Sequence, residues 1–440
     1  MTAPTPAAAR RITPLQTLVL GQILIGTASW AALIAVQTKA SYELHQGALF
    51  LAAVAMAWGA PTILLSPLVG RVIDSRGPRT VGIAAASLSV AASLGLVITD
   101  GPAALCAMTL LSGVARAFAQ PAADAMPSWL PGPAEHVKSS VWLGFATSVP
   151  MIAGPALAAS LVAVGGTASA FTANAVAYLL GGGVFVLLRL TRTPETEQAK
   201  EAKRAKEAQQ AREMKQAKGM KQGEEAKEDR SRLGLRGLLT HRGLRFTIVL
   251  TLIVWISYGA MTPLEILYIK SVLHRPAGTF ATVEMVFGAG LLAATLLIAR
   301  FDGLLGRRFF LPLSVLLVGA GQFLYSATHS LTFAYLGVGL WGLAAGLFGP
   351  ACRLSLLQGT PADQHGRAMA LWRAVQSFGS LAPPAVAGAV AHFAGVQPTL
   401  VAIGSLVVVT GACALTRSRA VQAKPQPAAV KPRFEKVEKV

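Results

Sequence analysis

Residues 121–133 read PAADAMPSWLPGP and residues 350–362 read PACRLSLLQGTPA; residues 154–166 read GPALAASLVAVGG and residues 383–395 read PPAVAGAVAHFAG. The chain half repeats itself at a shift of 230 residues. Pro131, Trp142 and Gly165 fall opposite Pro361, Trp372 and Gly395 in that register, and Pro121 and Pro350 miss it by one. Both copies are embedded in strongly apolar sequence rich in Gly and Pro. A chain of this kind suits two related bundles of membrane helices that share a central site.

The composition agrees. Hydrophobic residues make up 53% of the 440 and charged residues 13%, with a mean hydropathy of +0.54, which excludes an ordinary soluble protein. The apolar runs are continuous and rich in Leu, Ala and Val, so they read as membrane helices and not as alternating barrel strands. Twelve spans are predicted: 15–37, 47–69, 80–98, 103–122, 141–163, 168–189, 246–269, 279–299, 309–327, 331–350, 368–391 and 397–415. The expected fold is therefore all-α, twelve transmembrane helices in two pseudo-symmetric six-helix bundles. The organisation reads as an N-terminal tail (1–14), a first bundle (15–190), a charged linker (191–245), a second bundle (246–415) and a C-terminal tail (416–440).

A net charge of +19 raises nucleic acid as a partner, but its distribution points to a membrane. Arg71, Arg76 and Arg79, Lys138, Arg300, Arg307 and Arg308, Arg353 and Arg367 cluster at alternate connections, and both tails are basic. The opposite connections hold only Lys39, Lys270 and Arg275. The excess of positive charge on cytoplasmic loops places both termini and the linker in the cytoplasm, and no folded basic domain remains to bind nucleic acid. No cleavable signal peptide is expected at the N-terminus. Cys106, Cys352 and Cys413 are odd in number and show no metal-like spacing, so neither disulfide, metal nor cofactor is expected. The linker sequence EQAKEAKRAKEAQQAREMKQAKGMKQGEEAKEDR has helical charge pairs but no apolar stripe, as befits a solvated tether; contact with anionic lipid heads is the alternative.

Residues 70–79, GRVIDSRGPR, follow the second span. Gly70 and Gly77 allow a tight reversal there, and Asp74 stands alone among arginines. With Arg79 they give the spacing G-x-x-x-D-x-x-G-x-R, which resembles the signature of the major facilitator superfamily of secondary transporters. Ser75 and Pro78 stand where that family commonly has basic residues. The equivalent ARFDGLLGRR in the second half keeps Gly306, Arg307 and Arg308. In the fifth span, Gly154, Pro155, Ala158 and Ala159 resemble the G-P-x-x-G-G core of the superfamily's drug/proton antiporters, with Ala at the last two positions. Pro155 is expected to bend the helix and Gly154 to admit a close neighbour; small residues serving plain packing are the alternative. GVARAFAQPAADAMPSWLP, FTANAVAYLL and HGRAMALWRAVQSFG resemble the bacterial macrolide-efflux and siderophore-exporter branch. The resemblance implies alternating access, a bacterial inner-membrane location, and a latch on the cytoplasmic side made by Asp74 near Gly366 and Arg367.

Charges inside apolar spans are functional candidates because each is expensive in lipid. Arg116 in the fourth span has Ala345 as its repeat-mate, so the fold alone does not demand it. It reads as a cavity cation for an anionic group, or as an arginine reaching for lipid heads. Glu265 and Glu284 lie in the outer part of the second half. An acid that is neutral facing one side and charged facing the other couples proton flow to conformational change. Pairing of Glu265 with Lys270, or exposure of Glu284 to outer water, are the alternatives. Asp124 and Arg353 form a weaker candidate latch between the halves. Trp30, Trp142, Trp255, Tyr258, Trp372 and Gln376 are expected to line a cavity, with Gln22, Asn174 and Gln322 as further polar points. The expected function is proton-driven export of small amphipathic molecules by a monomer whose partners are its substrate, protons and the bilayer. No G-x-x-x-x-G-K-[ST] loop is present to bind nucleotide. Uptake of a small nutrient is the second reading and a membrane-embedded enzyme the third.

Overall fold

The computed structural model describes residues 14–126, 133–187, 242–301, 309–360 and 365–422. All regular elements among them are helices, as expected where no water is present to satisfy an open backbone. In the first half, α1 (Pro14–Thr38) runs into a π-helical turn, Lys39–Glu43. Then come α2 (Ala48–Leu64), α3 (Ser66–Arg76), α4 (Pro78–Ile98), α5 (Pro102–Ala125) and the long α6 (Pro133–Leu187). The second half holds α7 (Arg242–Met261), α8 (Glu265–Ser271), α9 (Ala277–Arg300), α10 (Phe310–Ser326), α11 (Leu331–Gly359), α12 (His365–Leu381), α13 (Pro383–Ala394) and α14 (Val396–Gln422).

Eight of these helices are long and apolar enough to cross a membrane singly, and nine if α2 and α3, bent by 56°, count as one. The second arm of α6, the 17-residue α10 and the broken pair α12–α13 complete twelve spans, six on each side of the middle segment. The protein is thus a multi-pass, all-helical membrane protein. The tail at 1–13 and nearly all of the linker, 188–241, lie outside the described residues.

Several spans expected to be continuous are broken, each beside a proline. Pro67 lies in the first turn of α3, just after the bend at Leu65. Pro263 stands in the gap between α7 and α8, and Pro383 opens α13. A proline cannot donate to the helix ladder and fits best where a new helix begins. Pro61, Pro121, Pro155 and Pro350 instead sit within helices that run on through them. In α6 the only non-helical residues are Gly165 and Gly166, so the bend expected at Pro155 is not a break. The expected reversal at 70–79 is also revised. α3 continues through Gly70, where a Cβ would meet open space, and only Gly77, at φ 81°, turns the chain.

The repeat is visible in the backbone itself. His45 and His274 both have φ of 52° and lie 229 residues apart; Gly166 (φ 70°) and Gly395 (φ 92°) have the same separation. The structural partner of Gly395 is therefore Gly166 and not Gly165.

The two halves share one core at one end only. Residues from both form a single apolar cluster, and its first-half members, among them Ile34, Leu51, Leu96 and Phe171, lie toward the face opposite the termini, where they meet Tyr268 and Phe280 of the second half. At the face of the termini the cores are separate. Leu18, Met126 and Phe185, with Val69 and Ile73 nearby, belong to the first half, and Leu244, Ile248 and Leu356 to the second. On the sealed side Gly388 fits against Ala48 and Ala52, and Gly288 against the Met151 carbonyl. Lys270 Nζ donates to the Ser41 carbonyl, and Tyr42 Oη donates to the Arg275 carbonyl at 2.7 Å. The halves are joined at one face and part at the other.

Candidate functional site

The space between the halves divides into three lobes with common walls. The first, of about 200 Å³, lies toward the termini and is lined by Gln22, Ser29, Trp30, Trp58, Arg116 and Gln120, among others. The second, of about 80 Å³, lies toward the sealed face and is lined by Trp30, Gln37, Trp58, Tyr258, Glu265, Glu284 and Trp341. The third, of about 160 Å³, joins Arg116, Trp58 and Tyr258 to Ser377 and Ser380 on α12. Trp58 lines all three lobes.

α5 carries Arg116 into the cavity, where its guanidinium lies 3.8 Å from the centre of the Trp58 ring. Cation–π stacking on a desolvated Trp is worth ~2 kcal/mol. Arg116 Nε is buried and has no hydrogen-bond partner, so the fork keeps a donor free for a ligand. Arg116 faces the cavity and not the lipid heads.

The break at Pro263 ends α7 and starts α8 at Glu265, which is only 6% exposed. Glu284 reaches the same lobe from α9 and is half-buried there. The two carboxyl groups share the wall of this lobe and lie within each other's field. Lys270 is turned away, toward Ser41, so the pairing of Glu265 with Lys270 is excluded. Tyr258 stands between the acids and Arg116, within the field of all three. It packs edge-on to Trp341 with ring centres 6.0 Å apart, and Trp341 packs edge-on to Phe287 at 5.1 Å.

Other expected residues fall elsewhere. Trp30 and Tyr258 line the cavity, whereas Trp255 stands behind Tyr258, edge-on at 5.7 Å. Trp372 packs into the second half's own core, and Gln376 is half-buried on α12, off the lining of the three lobes. The Trp142 side chain lies outside the described residues. Gln22 lines the cavity and donates to the Ala123 carbonyl at 3.0 Å, while Gln322 donates to Ser257 at 3.1 Å. Asn174 is fully buried. Arg79 donates to the carbonyls of Phe185 and Val186 at the end of α6. Asp74 and Arg367 are both exposed on the parted face. Asp124 accepts from Gln120 at 3.1 Å and faces the charge of Arg373, which corrects the expected pairing with Arg353. Gly154 lies where a Cβ would collide with Trp30 Cβ, so α6 and α1 touch there; Pro155 and Ala158 are buried beside it, and Ala159 is half-buried.

Twin six-helix bundles around a central cavity, joined at one face and parted at the other, define a membrane transporter and not an enzyme. The chain belongs to the Major Facilitator Superfamily, whose sequence model matches residues 18–268 and again 247–439. No curated protein matches the chain. Among solved structures, a mutant of the peptide transporter POT is similar over 92% of this chain and 94% of its own, with 16% identity and a TM-score of 0.68. A mutant of the nucleoside transporter NupG is similar over 92% and 99%, with 11% identity and a TM-score of 0.69. A bacterial homologue of the human lysosomal transporter Spinster, inward-facing and unoccupied, is similar over 96% and 100%, with 13% identity and a TM-score of 0.67. At such identities the likeness is one of fold.

Proposed function

We propose that the protein exports small amphipathic organic molecules in exchange for protons, from a bacterial inner membrane, with both termini and the 191–245 linker in the cytoplasm. The observation that carries this reading is the placement of Glu265 and Glu284 together in the wall of the same cavity that holds Arg116. A proton on the pair and a cargo in the cavity then compete for one conformational cycle. With a proton on each carboxyl group the pair is neutral and tolerates the closed, dry state; cargo entering from the parted face favours release of a proton to that side. Arg116 is available to hold an anionic group of the cargo, and Trp30, Trp58, Tyr258 and Trp341 provide the apolar walls. The resemblance of the fourth, sixth and eleventh spans to macrolide and siderophore exporters supports bulky cargo of that kind.

The test is transport in vesicles under an imposed proton gradient, with a macrolide, a lipophilic cation and a siderophore as probes. Accumulation that follows the gradient and is abolished by Glu265→Gln or Glu284→Gln, in protein that remains inserted and folded, is the expected result. Full gradient-driven transport by both single variants removes the coupling role from the pair, and movement with the proton favours uptake instead.

A further inference from the structure

Beyond the acid pair, toward the sealed face, lies polar structure that cargo binding does not use. Nine buried side-chain nitrogen or oxygen atoms among the described residues lack a hydrogen-bond partner, and four of them, Gln37 Oε1, Ser41 Oγ, Tyr325 Oη and Thr328 Oγ1, belong to this region. Gln37 lines the lobe of Glu265 and Glu284. Tyr325 is fully buried at the end of α10, within the field of Glu265, Glu284, Tyr268 and Tyr42. Its ring centre lies 5.1 Å from that of Tyr268, which is also fully buried. Tyr268 Oη donates to the Thr328 carbonyl, in the connection between α10 and α11. Ser41 lies beside Tyr42 in the π-helical turn that meets Lys270.

Buried polar oxygens are nearly always hydrogen-bonded, and water supplies the bond where protein does not. A group of such oxygens between an acid pair and a membrane face is the chemistry of a proton path. We propose that Glu265 and Glu284 take up their proton from the sealed face through bound water and the hydroxyls of Tyr325 and Tyr268, along a route separate from the opening that admits cargo. This rests on the coupling role given to the pair above. Each hydroxyl accepts one proton on its oxygen and passes its own onward, so no intermediate group keeps a charge. The carboxylate is the final acceptor.

The same structure explains why such a route does not short-circuit the gradient. In the conformation seen, Tyr268 and Tyr42 both donate to backbone carbonyls, of Thr328 and Arg275. A carbonyl accepts a hydrogen bond but has no proton to pass on. The route therefore ends blind while the cavity is parted at the other face. The bond from Tyr42 to Arg275 crosses from one half to the other, so the rocking that parts the sealed face breaks it and admits water to the outer end of the path.

The test needs no cargo. Purified protein is placed in vesicles enclosing a pH-sensitive dye, and proton entry after a pH jump is followed. Tyr42→Ala removes the bond across the halves and is expected to raise proton entry about tenfold, a change of ~1.4 kcal/mol in barrier. Adding Tyr325→Phe to that variant is expected to return it to the wild-type rate, while Tyr325→Phe alone lowers gradient-driven transport and spares exchange of cargo for cargo. A tight Tyr42→Ala variant, or a leak that Tyr325→Phe leaves untouched, overturns the route. Failure of the coupling reading shows separately, as gradient-driven transport that survives Glu265→Gln.

Discussion

Arg116 illustrates how much the chemistry of a single residue discloses. A charge in an apolar run announces itself, and Arg116, Glu265 and Glu284 all line the cavity. Aromatic residues announce nothing of the kind. Trp58, Trp341 and Phe287 line the cavity with no signal in the sequence to mark them, while Trp255 and Trp372, expected to line it, pack behind it. In a membrane span both faces are apolar, so sequence does not tell an aromatic turned inward from one turned to a neighbouring helix. Gln37 is equally hidden, its amide lying at the end of a run whose signal is hydropathy alone. The structure assigns Arg116 its stacking partner, and from that follows a test. Arg116→Ala is expected to lose transport far more severely than Arg353→Ala, because Arg353 is exposed and Arg116 lines two lobes. Arg116→Lys should fall between them, keeping the charge but not the planar fork. Equal losses for the two alanine variants, measured as initial efflux rates, would reduce Arg116 to an anchor.

At the scale of elements, twelve spans were legible because hydropathy over twenty residues is a strong signal. Their breaks were not. Pro67, Pro263 and Pro383 are plain in the sequence, but so are Pro121 and Pro350, through which helices continue. Which prolines break a helix is decided by the neighbours able to satisfy the freed backbone, and that is tertiary information. Glycine poses the same problem, and α6 offers a direct comparison. Gly154 packs so closely on α1 that a Cβ would collide with Trp30, whereas Gly183, further along, has nothing within 4 Å. Gly154→Leu is therefore expected to destabilise the first bundle by about 1–3 kcal/mol through overpacking, and Gly183→Leu to leave stability unchanged. Thermal unfolding in detergent decides it. Equal behaviour of the two would mean that the Gly-Pro segment of α6 is not held by close contact with α1.

At the scale of the whole molecule, the internal repeat was legible in outline, and the backbone sharpens it to the paired positive φ of His45 with His274 and Gly166 with Gly395. What no repeat discloses is conformation, because two related bundles permit either face to be shut. The partition of the apolar cores settles this: the first half joins the core of the second only toward the sealed face, and at the face of the termini it has clusters of its own. Interfaces of this kind are bistable and not continuously deformable, so transport requires the shared cluster to part as a unit. Locking that cluster should then stop the cycle. In a background with Cys106, Cys352 and Cys413 replaced, Ala52→Cys with Gly388→Cys joins the halves where a Cβ on residue 388 comes within 2.7 Å of the Ala52 Cβ. Oxidation is expected to abolish transport, and reductant to restore it. Gln22→Cys, in the lobe toward the termini, should stay reactive to an impermeant maleimide applied from that face even in the locked protein. Transport that continues through the oxidised pair would show that cargo crosses without separation of the halves at the sealed face, and alternating access by rocking would have to be abandoned for this chain.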